Sequence, residues 1–120
     1  MSTDPARQIA AHLTAAGHPA AVHLPATFMD DLPVILVEVV TPQRNDLFAA
    51  DTIALTAYAP GRTTALSTVR DALADVEGRS LFDPAYGLID RVSSVQSPMP
   101  VPFTDSVTTA TARVLAEYRP

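Results

Sequence analysis

The sequence predicts an α+β domain: a central, mostly antiparallel sheet of about five strands with two amphipathic helices on one face, in the order α-β-β-β-α-β-β. Three observations carry this. Two segments repeat apolar residues at helical spacing and have their ends written in. Several others alternate apolar and polar residues, or are apolar throughout, with turn residues between them. The chain has 120 residues, 48% of them hydrophobic and 18% charged, which suits a single domain (residues 1–120) with a modest core.

The first helix is "DPARQIAAHLTAAGHP". Asp4 is a natural N-cap, Pro5 fits the first helical position, Gly17 fits the C-terminal cap and Pro19 forbids continuation. Ala6, Ile9, Ala10, Leu13 and Ala16 fall on one face. "AAVHLP" (20–25) reads as a short strand and "PVILVEVV" (33–40) as the strongest one. "DTIALTAYA" (51–59) alternates, with Ile53, Leu55 and Ala57 on one side and Thr52, Thr56 and Tyr58 on the other. The second helix is "GRTTALSTVRDALADVEG", with Leu66, Val69, Leu73 and Val76 as its apolar stripe, Thr63 or Thr64 as cap and Gly78 as stop. "GLIDRVSSVQS" (87–97) and "DSVTTATARVLAEY" (105–118) complete the sheet. In the last, Ala110, Ala112, Val114, Ala116 and Tyr118 share a face, opposite Thr109, Thr111, Arg113 and Glu117.

Between these last two strands, Pro98, Pro100 and Pro102 stand at every second position. Proline donates no ladder hydrogen bond, so the three are expected outside a central strand, as a stiff connection forming the tip of a long hairpin. Met99, Val101 and Phe103 make that tip apolar and suit it to docking. "PVILVEVV" is apolar on both parities: Ile35, Val37 and Val39, and also Val34, Leu36 and Val40. Two helices cover only one face of a sheet. The second set, joined by Leu115, therefore meets either local loops or another subunit. The loop "TPQRNDLFAAD" (41–51) adds Leu47 and Phe48, as a contact or as a plug on the core edge.

The chain offers no named catalytic centre. It has no cysteine, which excludes disulfides and thiolate chemistry. No phosphate-cradling glycine loop, nucleophile elbow or HExxH helix is present. His12, His18 and His23 lie on a helix, beyond its cap and in a strand, which is no fixed metal geometry, so no metal or cofactor is expected. Asp30 and Asp31 read as a turn, and Asp46, Asp51, Asp83 and Asp90 are scattered beside turns and strand ends. The acidic start lacks the basic region of a signal peptide, and the longest apolar run is too short to span a membrane. A net charge of −5 argues against gripping phosphate backbones and suits a surface past which nucleic acid slides. All eight basic residues are arginine, and alanine is abundant, as in proteins from GC-rich genomes.

The sequence "LPVILVEVV", then "DTIALTAYA" followed at once by "GRTTALSTVRDALADV", then "GLIDRVSSVQSPMPVPF" and the terminal "VTTATARVLAEYR", resembles the tail terminator proteins of long-tailed phages, in particular those of actinobacteriophages. The likeness is one of order and texture over nearly the whole chain. It implies a non-enzymatic virion protein, assembled in the host cytoplasm. Such a protein forms a homo-oligomeric, hexameric ring that caps the tail tube, stops its polymerisation and meets a head-completion or connector protein. DNA passes through without specific binding. Interface residues under this reading are Val34, Leu36, Val40, Leu47, Phe48, Met99, Val101, Phe103 and Leu115. A head–tail connector or tail-completion protein, or a small α+β ligand-binding or enzymatic module, shares the size and element order.

Overall fold

The computed structural model describes residues 3–43 and 47–119. Helix α1 spans Pro5–Ala15. Its Asp4 carboxylate accepts from the Arg7 N–H at 3.2 Å, Pro5 opens the first turn, and Gly17 closes the other end at φ 95°, a conformation glycine adopts without a Cβ penalty. Strand β1 is Ala20–Ala21, β2 is Val34–Thr41 and β3 is Ala49–Ala59, with a 3₁₀ turn at Phe28–Asp31 before β2. Helix α2 spans Arg62–Val76. Strands β4 (Leu81–Asp83), β5 (Gly87–Ile89), β6 (Arg91–Pro102) and β7 (Thr108–Tyr118) follow.

The main sheet has the order β1-β2-β3-β7-β6. Only β1 and β2 run parallel; the other neighbours are antiparallel. This is the α+β architecture that the periodicities predict, with both helices packed on one face. Helix α1 buries Ala6, Ile9, Ala10 and Leu13. Against them and α2 lie Ile35 and Val37 of β2, Ile53, Leu55 and Ala57 of β3, and Ala110, Ala112, Val114 and Ala116 of β7. The alternations of β3 and β7 thus assign their faces correctly.

Several expectations are corrected. The first strand stops at Ala21, because it pairs only with Ile35 and Leu36 before the chain turns away. Ala16 is exposed, since α1 has already ended. The cap of α2 is Gly61, not a threonine, and no side chain closes it. Its fully buried stripe is Ala65, Val69, Ala72 and Val76, with Leu66 and Leu73 only partly buried at the flanks.

"GLIDRVSSVQS" is not one strand. It breaks at Asp90, whose N–H donates to the Glu117 carbonyl at 2.8 Å. The first piece, β5, pairs with the unexpected β4 in a separate two-stranded hairpin. This hairpin holds the start of the chain. The Asp4 N–H donates to the Tyr86 carbonyl at 3.0 Å, and the buried Gln8 amide, with its oxygen towards β4, accepts from the Phe82 and Asp83 N–H groups at 3.1 and 3.3 Å. Gly87 sits at φ 92° so close to Thr3 that a Cβ would stand 2.6 Å from the Thr3 hydroxyl.

The prolines are the largest correction. Pro98, Pro100 and Pro102 are not the connection between the last two strands. They belong to β6 itself, with Pro100 opposite Ala110 and Pro102 opposite Thr108. The turn follows at Phe103, whose N–H donates to the Val107 carbonyl at 2.9 Å. Proline is tolerated there because β6 is an edge strand.

Candidate interaction surface

The register lays out the second face of the sheet row by row. One row runs Val34, Tyr58, Thr109, Val101 across β2, β3, β7 and β6. The next is Leu36, Thr56, Thr111, Met99, then Glu38, Ala54, Arg113, Gln96, and then Thr41, Thr52, Leu115, Ser93. Both α-helices pack on the opposite face, and the 3₁₀ turn at Phe28–Asp31 reaches this one at its end, through Phe28. Five of the nine residues singled out from the sequence therefore share it: Val34, Leu36, Met99, Val101 and Leu115.

The face is mixed in chemistry. Val34, Leu36 and Leu115 are half-buried by their neighbours, whereas Met99 and Val101 are exposed. Thr56 and Thr111 hydrogen bond to each other through their hydroxyls at 3.0 Å, satisfying the centre of the sheet across β3 and β7. Glu38 and Arg113 lie in one row on either side of the small Ala54, and neither has an ion-pair partner among the described residues. Each therefore remains available to a group of opposite charge outside the chain.

One end of the face is closed by aromatic rings. Tyr58 meets Phe28 at 5.2 Å and Phe103 at 5.3 Å between centroids, both edge to face. Phe103 is thus anchored to its own sheet at the β6–β7 turn rather than projecting from a rigid tip, although half of it stays exposed. Burial first, and then the negative charge of Glu38, pushes the Tyr58 hydroxyl above its ordinary pKa.

The other candidates lie elsewhere. Val40 is the extra residue where the β2–β3 register slips between Val39 and Thr41, and it is 40% exposed. Leu47 and Phe48 are exposed in the β2–β3 loop. The sequence reading missed Phe82 and Leu88, which are exposed on the β4–β5 hairpin. Strands of three residues carry too little alternation to be found without pairing partners.

The polar residues weighed for chemistry have structural surroundings. Asp51 is fully buried and accepts from the Tyr118 hydroxyl at 2.9 Å, tying β3 to β7. Asp83 accepts from the Ala85 N–H at 2.7 Å in the β4–β5 turn. Asp46 lies outside the described residues. His18 Nε2 lies 2.5 Å from Asp75 Oδ2, and His12 Nε2 lies 3.0 Å from the Asp75 backbone carbonyl, so both histidines join the end of α1 to α2. The hydrogen bond with His18 holds the Asp75 carboxyl below the usual carboxylate range, against a smaller opposing effect of burial. Among the described residues no three His, Cys, Asp or Glu side chains converge as a metal site.

Two hollows mark the surface. One, of about 310 Å³, is lined by α1 at Arg7, Ala10, Ala11 and Thr14 and by Val22, His23 and Tyr86. The other, of about 340 Å³, is lined by Thr3, Leu88, Asp90 and Arg119. No helix is long and apolar enough to cross a membrane among the described residues. No protein-family model matches the chain, and no curated protein matches it in sequence.

Proposed function

We propose that the chain is a structural virion protein of the tail terminator class. It forms a ring of identical subunits, ends polymerisation of the tail tube and joins the tail to a head-completion protein. The observation that carries this reading is the sheet face opposite the helices, with Leu36, Met99, Val101 and Leu115 around Glu38 and Arg113, neither ion-paired among the described residues. A domain of this size whose helices occupy one face of the sheet has the other face to offer to a neighbour. The order of elements supports the class, and the net charge of −5 suits a passage that DNA crosses without being held.

The test is the mass of the protein in solution, by light scattering, together with negative-stain images with and without purified tail tubes. Rings, free or on tube ends, are expected. A subunit that stays monomeric in the presence of tubes overturns the proposal. Binding to portal assemblies instead of tube ends replaces it with the connector reading. In the same preparation, duplex DNA is expected to show no measurable affinity at physiological salt.

A further inference from the structure

The sheet has two outer edges, β2 beyond β1 and β6, and their backbones are disposed differently. Two sets of hydrogen bonds fix which residues turn their N–H and C=O outwards. On β2, the Ile35 N–H donates outwards to the Pro19 carbonyl at 2.8 Å. On β6, the Val92 N–H donates outwards to the Arg79 carbonyl at 3.1 Å, and the Val92 carbonyl accepts from the Gly78 N–H at 2.6 Å.

Val92 stands opposite Ala116 of β7. Orientation alternates along an antiparallel ladder, so the β6 residues opposite even-numbered residues of β7 turn outwards. Pro100, opposite Ala110, and Pro102, opposite Thr108, are such residues. Met99 and Val101, opposite Thr111 and Thr109, turn inwards to β7. Pro98 stands within the register shift between Gln96 and Met99 and offers no N–H to either side. Starting instead from Ile35 and crossing β3 gives the same alternation, since the β3–β7 register runs without a break from Ala49 to Ala59.

The outer side of β6 is therefore closed along most of its length. At Val92 it is covered by Gly78 and Arg79. From residue 98 onwards it presents carbonyls and no N–H at all. The strand otherwise has what a partner strand needs: twelve residues, with Val95, Met99 and Val101 exposed along it. No lysine exists in the chain to guard it. On β2, Val39 turns outwards beyond the residues paired with β1, and no proline stands there.

We infer that Pro98, Pro100 and Pro102 close the β6 edge against strand addition by a second copy of this chain. An antiparallel β6–β6 pair would need donors from both copies at these positions, and neither copy has them. The apolar side chains of β6 thereby serve contacts through the face of the sheet without its edge extending into a continuous sheet.

The test replaces Pro98, Pro100 and Pro102 together with threonine, which adds three amides to β6. The variant is compared with wild type by sedimentation velocity over one concentration range, and hydrogen exchange of the three new amides is followed by NMR. Self-association about tenfold tighter than wild type or more is expected, with the new amides becoming protected as concentration rises. New amides that exchange freely at every concentration, with an unchanged mass distribution, overturn the inference. Should the triple variant fail to fold, Pro100→Thr alone adds one outward amide and gives the same readout. Val101→Pro checks the orientation itself. It removes an inward donor and is expected to destabilise β6, and wild-type thermal stability in that variant also overturns the inference.

Discussion

The two faces of the sheet are built from the same four strands and differ in nearly every other respect. On the helix side, Ile35, Val37, Ile53, Leu55 and Val114 are fully buried, β2 chiefly beneath α1 and β3 and β7 beneath α2. On the other side the same strands present threonine, a glutamate, an arginine and half-buried aliphatics. The first face makes the subunit fold. The second leaves its aliphatics and charges without a covering layer, and it is the more informative about partners.

The contrast can be broken from the helix side first. Leu55→Ala removes a fully buried side chain between the helices and the sheet, and should cost about 2–5 kcal/mol in urea unfolding. A loss below about 1 kcal/mol would show that the helix side is not the core. Next comes the buried tie between β3 and β7. Tyr118→Phe withdraws the hydroxyl that donates to Asp51 and should cost about 1–3 kcal/mol. Chemical denaturation of both proteins at neutral pH measures it.

The open face should respond in the opposite sense. Met99→Ser with Val101→Ser should change subunit stability by only about 1 kcal/mol, because both side chains are more than half exposed. The same pair should markedly weaken ring formation in light scattering. Loss of stability with intact assembly would assign the face to the fold.

The smallest effect concerns the link between the helices. The folded-state pKa of Asp75 is depressed, so its contribution is present above the ordinary carboxylate range and is lost as pH falls through the lowered value. Thermal midpoints of wild type and Asp75→Asn should therefore differ slightly at neutral pH and converge in acid. The effect is small because solvent screens this pair. A difference that grows towards low pH would contradict the assignment.

Much of this arrangement is legible in the residues. Asp4, Pro5 and Gly17 mark α1 because they act through local backbone chemistry, and the alternation of β7 assigns Ala110, Ala112, Val114, Ala116 and Tyr118 to one face with no knowledge of neighbours. Non-local facts are not legible. The three-residue strands of the β4–β5 hairpin exist through each other and through the chain start that lies on them. Leu66 and Leu73 outrank Ala65 and Ala72 in hydrophobicity, yet the alanines occupy the centre of the contact and the leucines its flanks. The open face was visible as a surplus of apolar residues on β2, but the row joining Glu38 to Arg113 depends on register across three strands. The prolines were legible as a break in hydrogen bonding, but which side of β6 they silence depends on pairing with β7.

The place of β7 has a consequence for synthesis. It lies between β3 and β6 and follows both in the chain, so the pairing that unites the sheet waits for β7 to leave the ribosome. The Asp51–Tyr118 hydrogen bond spans 67 positions. Until Tyr118 emerges, β3 has only β2 beside it and β6 has no neighbour in the main sheet. Closure of such distant pairings is slow and leaves apolar strands uncovered meanwhile. The nascent chain is therefore expected to need shielding of its apolar strands until β7 inserts.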